Sequence, residues 1–394
     1  MPAKVGYSYW GFLGDYKFDE DKDLVSTPDG NAFYSSSIIH SLQQAGYEVI
    51  QVMPDRDMPG YDSMRDFLFS SWGTTMRSDA YKKMTHNYVK KQPNWMVSDY
   101  FNWLRKFWDV SGLKDAKFIL HEYRFCIEGR NDTASFLHGE YGFQPDYVIQ
   151  LALFNYCIEH NVFVYIFDLD YKLDEATLDK WKANGLKFKV IELGNKWALR
   201  GDEALQVQIP FNWDVMLTEA DIHSVFSKTK SICYVGNRYE RDETVYKYLD
   251  PIGNVDIYGK WLHGDVDFSG LVFHGRVHVP QMKEAYRTHM ATLLMAKQEY
   301  YEHEFMTARI LEAVFYGCIP FFAEEYGDDV IVKYAGIFSN LLKVRSAEEL
   351  MTKTRMLEED RELAYHVLCY LVSHLSFMSS DKFVEILEEN CNVL

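Results

Sequence analysis

Short strands and helices alternate along most of this chain of 394 residues. The first unit has an apolar run at residues 5–10, a helical pattern at residues 32–44 and a second apolar run at residues 47–52. A turn cluster precedes the helix, and Ala45-Gly46 ends it. A strand, a helix and a second strand in this order predict a parallel pair that is joined by a right-handed crossover.

The alternation continues in two series that meet near residues 210–228. Further strands are predicted at residues 117–125, 146–149, 162–167, 188–193 and 206–210, and then at 231–235, 255–258, 271–273, 291–296 and 319–322. Helices are predicted at residues 151–160, 174–184, 240–249, 280–287 and 307–316, and again over residues 346–392. Single cores stop growing near ~250–300 residues, so this length predicts two domains. We expect an α/β protein with two Rossmann-like domains that face a central cleft, and ligands at the carboxyl ends of the strands.

Composition and charge narrow the classes of function. The formal net charge of −17 disfavours a protein that coats nucleic acid non-specifically, although it leaves room for a local basic groove. No window contains the ~18–20 unbroken apolar residues of a membrane span, and residues 1–9 lack the apolar core of a signal peptide. The six cysteines are scattered without a C-x-x-C pair, so neither a zinc knuckle nor a disulfide framework is predicted. A cytoplasmic location is the simplest expectation.

Two glutamates that are separated by seven residues form the most specific segment of the sequence. Glu304 precedes a predicted helix, Glu312 lies about two turns further on, and Gly317-x-x-Pro320 leads into a strand. A carboxylate accepts hydrogen bonds from both hydroxyls of a vicinal diol, as acidic residues do for ribose. The free N–H groups at the start of a helix favour a diphosphate. The segment therefore predicts a site for a sugar, a diphosphate and a ribose.

The E-x7-E segment with its Gly-x-x-Pro turn resembles the donor-binding signature of retaining GT-B glycosyltransferases. Two strand ends fit the same pattern, since Gly236-Asn237-Arg238 and Tyr258-Gly259-Lys260 follow consecutive strands of the second series. The combination of Gly-Asn-Arg-Tyr with Tyr-Gly-Lys-Trp is also similar to the CgeB-like branch and its phage relatives. The resemblance is detailed over residues 231–322 and only architectural over the first domain.

The resemblance implies a role for each matching residue. In that family the first glutamate contacts the transferred sugar and the second contacts the nucleotide ribose, which implies these roles for Glu304 and Glu312. The predicted set of donor-site residues is Asn237, Arg238, Arg241, Tyr258, Gly259, Lys260, Thr307, Arg309, Glu312 and Gly30. The resemblance implies a nucleotide-sugar donor, most simply a UDP-sugar, and no obligatory metal. The phosphate ligand near the first strand end is Arg238 or Arg241.

The chain departs from the family pattern in three places. Residues 296–301 lack the Pro-Ser that often precedes the first glutamate. Phe305-Met306-Thr307 stands where a glycine-rich pocket is usual, and Asp29-Gly30 replaces the Gly-Gly loop of the first domain.

Within this scheme the first domain holds the acceptor. Residues 1–215 would form that domain with a basic and aromatic insertion at 60–110, residues 216–375 the nucleotide-sugar domain, and residues 376–394 a helix that packs back on the first domain. His121 and Asp168, which follow strands, are the candidates for the group that assists the acceptor hydroxyl, and either is equally compatible with a satisfied loop residue. Asp168-Leu169-Asp170 matches a D-x-D metal motif, but that motif belongs to a different glycosyltransferase fold, so we infer no metal.

A basic and aromatic stretch at residues 76–108 stands out against the acidic background. Its basic residues are Arg77, Lys82, Lys83, Lys90, Lys91, Arg105 and Lys106. Lys and Arg pair with phosphates, and aromatic rings stack on flipped or unpaired bases. A solvated helical hairpin with its own small core would give the same pattern. On the first interpretation the acceptor is DNA.

The leading hypothesis is a retaining glycosyltransferase that moves a sugar from a UDP-sugar to a hydroxymethylated pyrimidine in phage DNA, in the host cytoplasm. A saccharide or a peptide in surface-polymer assembly is the rival acceptor. Two further classes of protein fit the same pattern, a sugar-nucleotide epimerase of similar build and a non-catalytic nucleotide-sugar-binding module. An NAD enzyme is disfavoured, because Gly11-Phe12-Leu13-Gly14 after the first strand is not a G-x-G-x-x-G motif.

Overall fold

The structure is a computed structural model of the chain. It describes residues 2–8, 31–52, 113, 115–122, 145–168, 171, 173–196, 203–207, 210, 219–238, 240–259, 261, 268, 270–275, 277, 279–375 and 380–391. The predicted insertion at residues 60–110, which contains the basic and aromatic stretch at 76–108, lies outside the described residues.

Six parallel strands form the sheet of the first half of the chain. They are β1 (Lys4–Ser8), β2 (Glu48–Gln51), β3 (Ala116–Glu122), β4 (Phe163–Phe167), β5 (Phe188–Glu192) and β6 (Ala204–Gln206), in the order β2-β1-β3-β4-β5-β6. The register places Ser8 beside His121, and Glu122 beside Phe167. The carboxyl ends of β1, β3 and β4 therefore meet at one edge of the sheet.

Six parallel strands also form the second sheet. They are β7 (Lys230–Val235), β8 (Val255–Tyr258), β9 (Leu271–Gly275), β10 (His289–Leu294), β11 (Ile319–Ala323) and β12 (Lys343–Val344), in the order β12-β11-β10-β7-β8-β9. The order reverses between β7 and β10, so β7 and β8 on one side and β10 and β11 on the other direct their carboxyl ends into one crevice. In open α/β sheets such a switch point is where ligands bind.

Helices connect the strands of both sheets. In the first half they are α1 (Asn31–Gln44), α2 (Pro145–His160) and α3 (Glu175–Ala183). In the second half they are α4 (Glu219–His223), α5 (Asp242–Tyr248), α6 (Val279–Thr288), α7 (Gln298–Glu302), α8 (Arg309–Phe315), α9 (Asp328–Ala335), α10 (Ser339–Leu342), α11 (Ala347–Glu359), α12 (Arg361–His374) and α13 (Ser380–Cys391). Short 3₁₀ turns lie at Ser224–Ser227, Glu324–Tyr326 and Gly336–Phe338.

The central strands are apolar on both faces because helices cover both faces of the sheets there, whereas the edge strand β9 is mostly exposed. Every residue of β4 and of β10 is buried. In the first half, α1 and α13 pack on one face through residues such as Leu42 and Leu387, and α2 and α3 pack on the other through residues such as Phe154 and Trp181. This burial on both faces fixes the strand ends that carry the site.

The predicted α/β architecture is confirmed, and single elements differ. The strand predicted at 146–149 is wrong, because these residues form the first turn of α2. Pro145 occupies the first helical position, where its missing N–H costs nothing. The apolar run continues without a turn residue into the predicted helix. The last strand of the first sheet lies at Ala204–Gln206 instead of 206–210.

The C-terminal helix α13 packs on the first sheet. The ring of Phe383 stacks at 6.4 Å on Phe167 of β4, and the Tyr165 hydroxyl donates to the carbonyl of Leu387. Lys117 pairs with Glu388 at 3.4 Å. The chain therefore returns from the second sheet to the first, while the division of the chain at residues 215 and 375 stays a prediction.

Candidate functional site

The loops that follow β7 and β8 pack directly on each other at the carboxyl edge of the second sheet. The Gly236 amide donates to the carbonyl of Tyr258 at 2.7 Å, and the indole of Trp261 donates to the carbonyl of Gly236 at 2.7 Å. A Cβ on Gly259, which has a φ of +144°, would lie less than 3.0 Å from the Gly236 carbonyl. Only glycine allows the backbones of these two loops to come this close, so the loops pack against each other through backbone atoms.

The two arginines after β7 have different surroundings. The Arg238 guanidinium donates to both oxygens of Asp242, from Nε at 2.8 Å and from Nη2 at 2.7 Å. Arg241 is buried, and its Nη1 donates to the carbonyl of Asn237 at 3.1 Å. A bidentate carboxylate already balances the charge of Arg238. The carbonyl that Arg241 contacts is neutral.

Arg309, the first residue of α8, lies against Gly236. A Cβ at Gly236 would be 2.8 Å from the guanidinium carbon of Arg309, which is itself 5.8 Å from the ring centre of Tyr234. The Nη1 atom of Arg309 and the hydroxyls of Tyr234 and Tyr326 are buried, and they have no hydrogen-bond partner among the described residues. Buried polar groups normally have one. The Tyr234 hydroxyl and the Arg309 guanidinium both lie against Gly236, and Tyr326 lies near Arg309.

Glu312 lies one turn after Arg309 on α8 and is 6% exposed. Burial raises the pKa of its carboxyl to about 7, against the opposing effects of the Arg309 charge and a hydrogen bond with Tyr286. Near neutral pH both protonation states are therefore populated. The carboxylate form can accept hydrogen bonds from two neighbouring hydroxyls.

Glu304 faces the first half of the chain. Its φ is +52°, and its Oε1 pairs with the Nζ of Lys196, a residue that follows β5, at 2.6 Å. Thr307 lies in the turn between Glu304 and α8, where its carbonyl accepts from the Ile310 amide at 3.4 Å. The first glutamate of the motif is therefore at the contact between the two halves, and the second is inside the second half.

His121 and Asp168 lie at the carboxyl ends of β3 and β4, and both are buried. The Nδ1 of His121 lies 3.2 Å from the Ser8 hydroxyl, and its ring contacts Phe154 edge-on. The Oδ2 of Asp168 accepts from the Leu173 amide at 2.8 Å, which orders the loop after β4.

Glu122, beside His121, is a buried carboxyl that was not among the predicted site residues. Its Oε1 accepts from the hydroxyls of Tyr7 at 2.7 Å and Ser35 at 2.6 Å. The signal in the sequence was a charged residue at the end of the apolar strand β3. It identifies Glu122 as a third ionisable group at this edge.

The structure brings part of the predicted donor set together. Asn237, Arg241, Tyr258, Gly259 and Arg309 meet around the Gly236 loop, with Glu312 beside Arg309. Gly30 and Lys260 lie outside the described residues. The phenols of Tyr234, Tyr286 and Tyr326 were missed, because tyrosine inside an apolar pattern is typical of core. Lys196 was missed because it lies in a loop without a motif.

Within the described part of the chain, no three side chains of His, Cys, Asp or Glu are grouped so that they could hold a metal ion. In the same part, no helix has the length and the apolar character that crossing a bilayer requires.

The chain is similar in fold to solved glycosyltransferase structures. T4 phage beta-glucosyltransferase in complex with UDP and Mn²⁺ gives a TM-score of 0.57 over 99% of this chain and 100% of its own, at 14% identity. An alpha-glucosyltransferase in complex with UDP and a 13-mer DNA gives 0.53 over 99% of each chain, at 11% identity. Anabaena Alr3699/HepE in complex with UDP-glucose gives 0.50 over 99% of this chain and 100% of its own, at 11% identity.

No protein-family model and no curated protein matches the chain. At identities of this size the likeness establishes the fold, and the predicted GT-B fold is confirmed.

Proposed function

We propose that the protein is a glycosyltransferase that takes its sugar from a UDP-sugar. One observation carries the proposal: the guanidinium of Arg309 lies against Gly236, with Glu312 one turn further along the same helix. A half-buried cation beside a glycine loop suits a diphosphate, and a carboxyl next to it suits a vicinal diol. UDP or UDP-glucose in the similar structures supports the same choice of donor.

Each donor-site residue then has a role. Arg309 and Arg241 bind the diphosphate, Glu312 accepts hydrogen bonds from the ribose hydroxyls, and Glu304 accepts one from the transferred sugar. Arg238 is the weaker phosphate ligand, because Asp242 already holds its guanidinium at two points. By the resemblance alone, phosphate or backbone contacts are also proposed for Asn237, Tyr258, Gly259, Lys260, Thr307 and Gly30.

The reaction exchanges one bond at the anomeric carbon of the sugar. The bond from this carbon to the diphosphate breaks, and its electron pair leaves with UDP. The acceptor oxygen forms the new bond and gives up its proton. Arg309 stabilises the charge that develops on the leaving diphosphate. We propose that His121 accepts this proton as the general base. Asp168 supports the site by accepting a hydrogen bond from the Leu173 amide, which orders the loop after β4.

Retention of configuration is part of the proposal and rests on the E-x7-E motif. The similar structures include proteins that are named alpha- and beta-glucosyltransferase, so the shared fold does not decide the stereochemical course. The anomeric configuration of the product, read from its proton coupling constant by NMR, decides it. An α-linked product from UDP-α-glucose supports retention, and a β-linked product contradicts it.

The acceptor that we propose is a hydroxymethylated pyrimidine in DNA. The basic and aromatic stretch at residues 76–108 supports it, as do solved structures of an alpha-glucosyltransferase with DNA, one of which contains an HMU base. The test uses radiolabelled UDP-glucose with matched duplexes that carry hydroxymethylated or unmodified pyrimidines. We expect label only in the hydroxymethylated duplexes. Hydrolysis of UDP-glucose without transfer to any duplex would contradict the DNA acceptor, and binding without either reaction would indicate a binding module.

We expect the affinity for UDP-glucose to rise about tenfold between about pH 6 and pH 8. The pKa of Glu312 is about 7, and only its ionised form accepts well from both ribose hydroxyls, so the competent fraction grows from about a tenth to about nine tenths. Calorimetric titrations across this range measure the effect. Glu312→Gln keeps the shape but does not titrate, so its affinity should be lower and flat with pH. An equal slope in Glu312→Gln would assign the pH dependence to another group.

A further inference from the structure

The segment 194–196, which follows β5 of the first sheet, is joined to residues 303–304 of the second half. The Lys196 amide donates to the carbonyl of His303 at 3.1 Å, and the Nδ1 of His303 lies 3.0 Å from the carbonyl of Lys196. The Lys196 ammonium pairs with Oε1 of Glu304 at 2.6 Å. We call this set of bonds the 196–304 contact.

Further groups hold the 196–304 contact in place from both sides. The Nζ of Lys333, on α9, donates to the side-chain oxygen of Asn195 at 2.6 Å, and the ring of Tyr171, after β4, stacks on His303 at 4.1 Å. Phe305 is buried in the core of the first half, in the cluster that contains Phe167 and Leu193. The residues on both sides of Glu304 are thus fixed to the first sheet.

Gly194 allows the two backbones to come this close. A Cβ on Gly194 would lie less than 3.0 Å from the carbonyl oxygen of His303, a backbone atom that cannot move aside cheaply. The close approach explains how a loop of the first half reaches a glutamate of the donor motif.

The ion pair is built to orient Glu304 more than to stabilise the fold. The Lys196 side chain is 66% exposed, whereas that of Glu304 is 19% exposed. Ion pairs with one such exposed partner contribute little to stability. The ion pair is with Oε1, and a carboxylate has a second oxygen that can accept from a further donor such as a sugar hydroxyl.

We infer that Lys196 is a positioning residue for the sugar subsite. It holds the Glu304 carboxylate in one orientation, and it does so from the first half of the chain. This inference rests on the proposed function, since Glu304 must meet the transferred sugar. UDP has no transferred sugar, so its affinity should not depend on Lys196. The turnover of UDP-glucose should depend on Lys196, because turnover requires the correct orientation of Glu304.

The test compares Lys196→Met, Lys196→Arg and Glu304→Gln, alone and with the double variant Lys196→Met/Glu304→Gln. We expect Lys196→Met to lower kcat about tenfold with the Kd for UDP and the melting temperature unchanged. Lys196→Arg should restore most of the loss. In the Glu304→Gln background Lys196→Met should have no further effect. Lys182→Met, which removes another exposed ion pair at 2.7 Å, from Glu203, is the matched control.

A second measurement needs no substrate. Hydrogen exchange of the peptide that spans residues 301–306 should speed up in Lys196→Met, and more in Gly194→Ala, where the added Cβ pushes the backbones apart. Unchanged kcat in Lys196→Met with an active wild type, losses that simply add in the double variant, or unchanged exchange would each overturn the inference. The variants could exchange faster while the wild type neither binds UDP-glucose nor transfers glucose. That result would support the 196–304 contact and contradict the proposed function.

Discussion

We expect Arg309→Met to lower kcat/KM for transfer from UDP-glucose by about a thousandfold while the protein remains folded. Arg309 faces Gly236 with a buried Nη1 that has no hydrogen-bond partner among the described residues. In the transition state this guanidinium would meet the growing charge of the diphosphate in a site with little water. The substitution also removes a charge that favours the ionised form of Glu312, so a thermal melt must verify that the variant is folded.

Two variants make the Arg309 result specific. Arg309→Lys keeps the charge but loses the planar fork, so about a tenth of the activity should survive. Arg345→Met removes an arginine whose side chain is exposed and lies 3.9 Å from Glu349, and it should leave turnover unchanged. Steady-state kinetics and thermal melts on the three variants give the comparison. A variant Arg309→Met with near wild-type kcat/KM would remove Arg309 from the diphosphate site.

We expect Gly259→Ala to destabilise the protein by about 2–4 kcal/mol and to abolish measurable binding of UDP-glucose. The new Cβ would lie less than 3.0 Å from the carbonyl of Gly236, at a φ of +144° that side chains rarely adopt. The loops after β7 and β8 must then separate. The backbone that lies against Arg309 moves with them.

Gly253→Ala is the matched control for this variant. Gly253 also has a positive φ, of +71°, but nothing lies within 4 Å of a Cβ at that position. Gly253→Ala should lower the free energy of unfolding by only about 1–2 kcal/mol, which is the cost of a positive φ in a residue with a Cβ, and leave UDP-glucose binding intact. Urea denaturation and calorimetry measure the two effects. Equal losses of stability and of binding in both variants would show that the close approach of the two loops is unimportant.

The parts of the fold that the sequence predicts are those with a strong local pattern. The predicted strand at 255–258 coincides with β8 because its apolar residues are bounded by turns on both sides. The strand predicted at 146–149 fails because a short apolar run has no periodicity of its own, and the helix that continues it decides its conformation.

The site divides in the same way. Spacing identifies Glu304 and Glu312, because a motif is a local pattern. Spacing does not reveal that Asp242 forms an ion pair with Arg238. It also does not reveal that Lys196, over a hundred residues earlier in the chain, forms an ion pair with Glu304. Such pairs depend on which strand ends the two sheets bring together. The raised pKa of Glu312 is likewise a consequence of burial, which only the packed structure determines.

The most direct test of the central claim, a nucleotide-sugar site around Arg309 and Glu312, is a calorimetric titration of the wild-type protein and Glu312→Ala with UDP-glucose, GDP-glucose and ADP-glucose. We predict one site per chain that prefers UDP-glucose, with binding at least about tenfold weaker in Glu312→Ala. A thermal melt of each protein verifies that both are folded. Failure of the folded wild type to bind any nucleotide sugar, or equal affinity in the folded Glu312→Ala variant, would contradict the account.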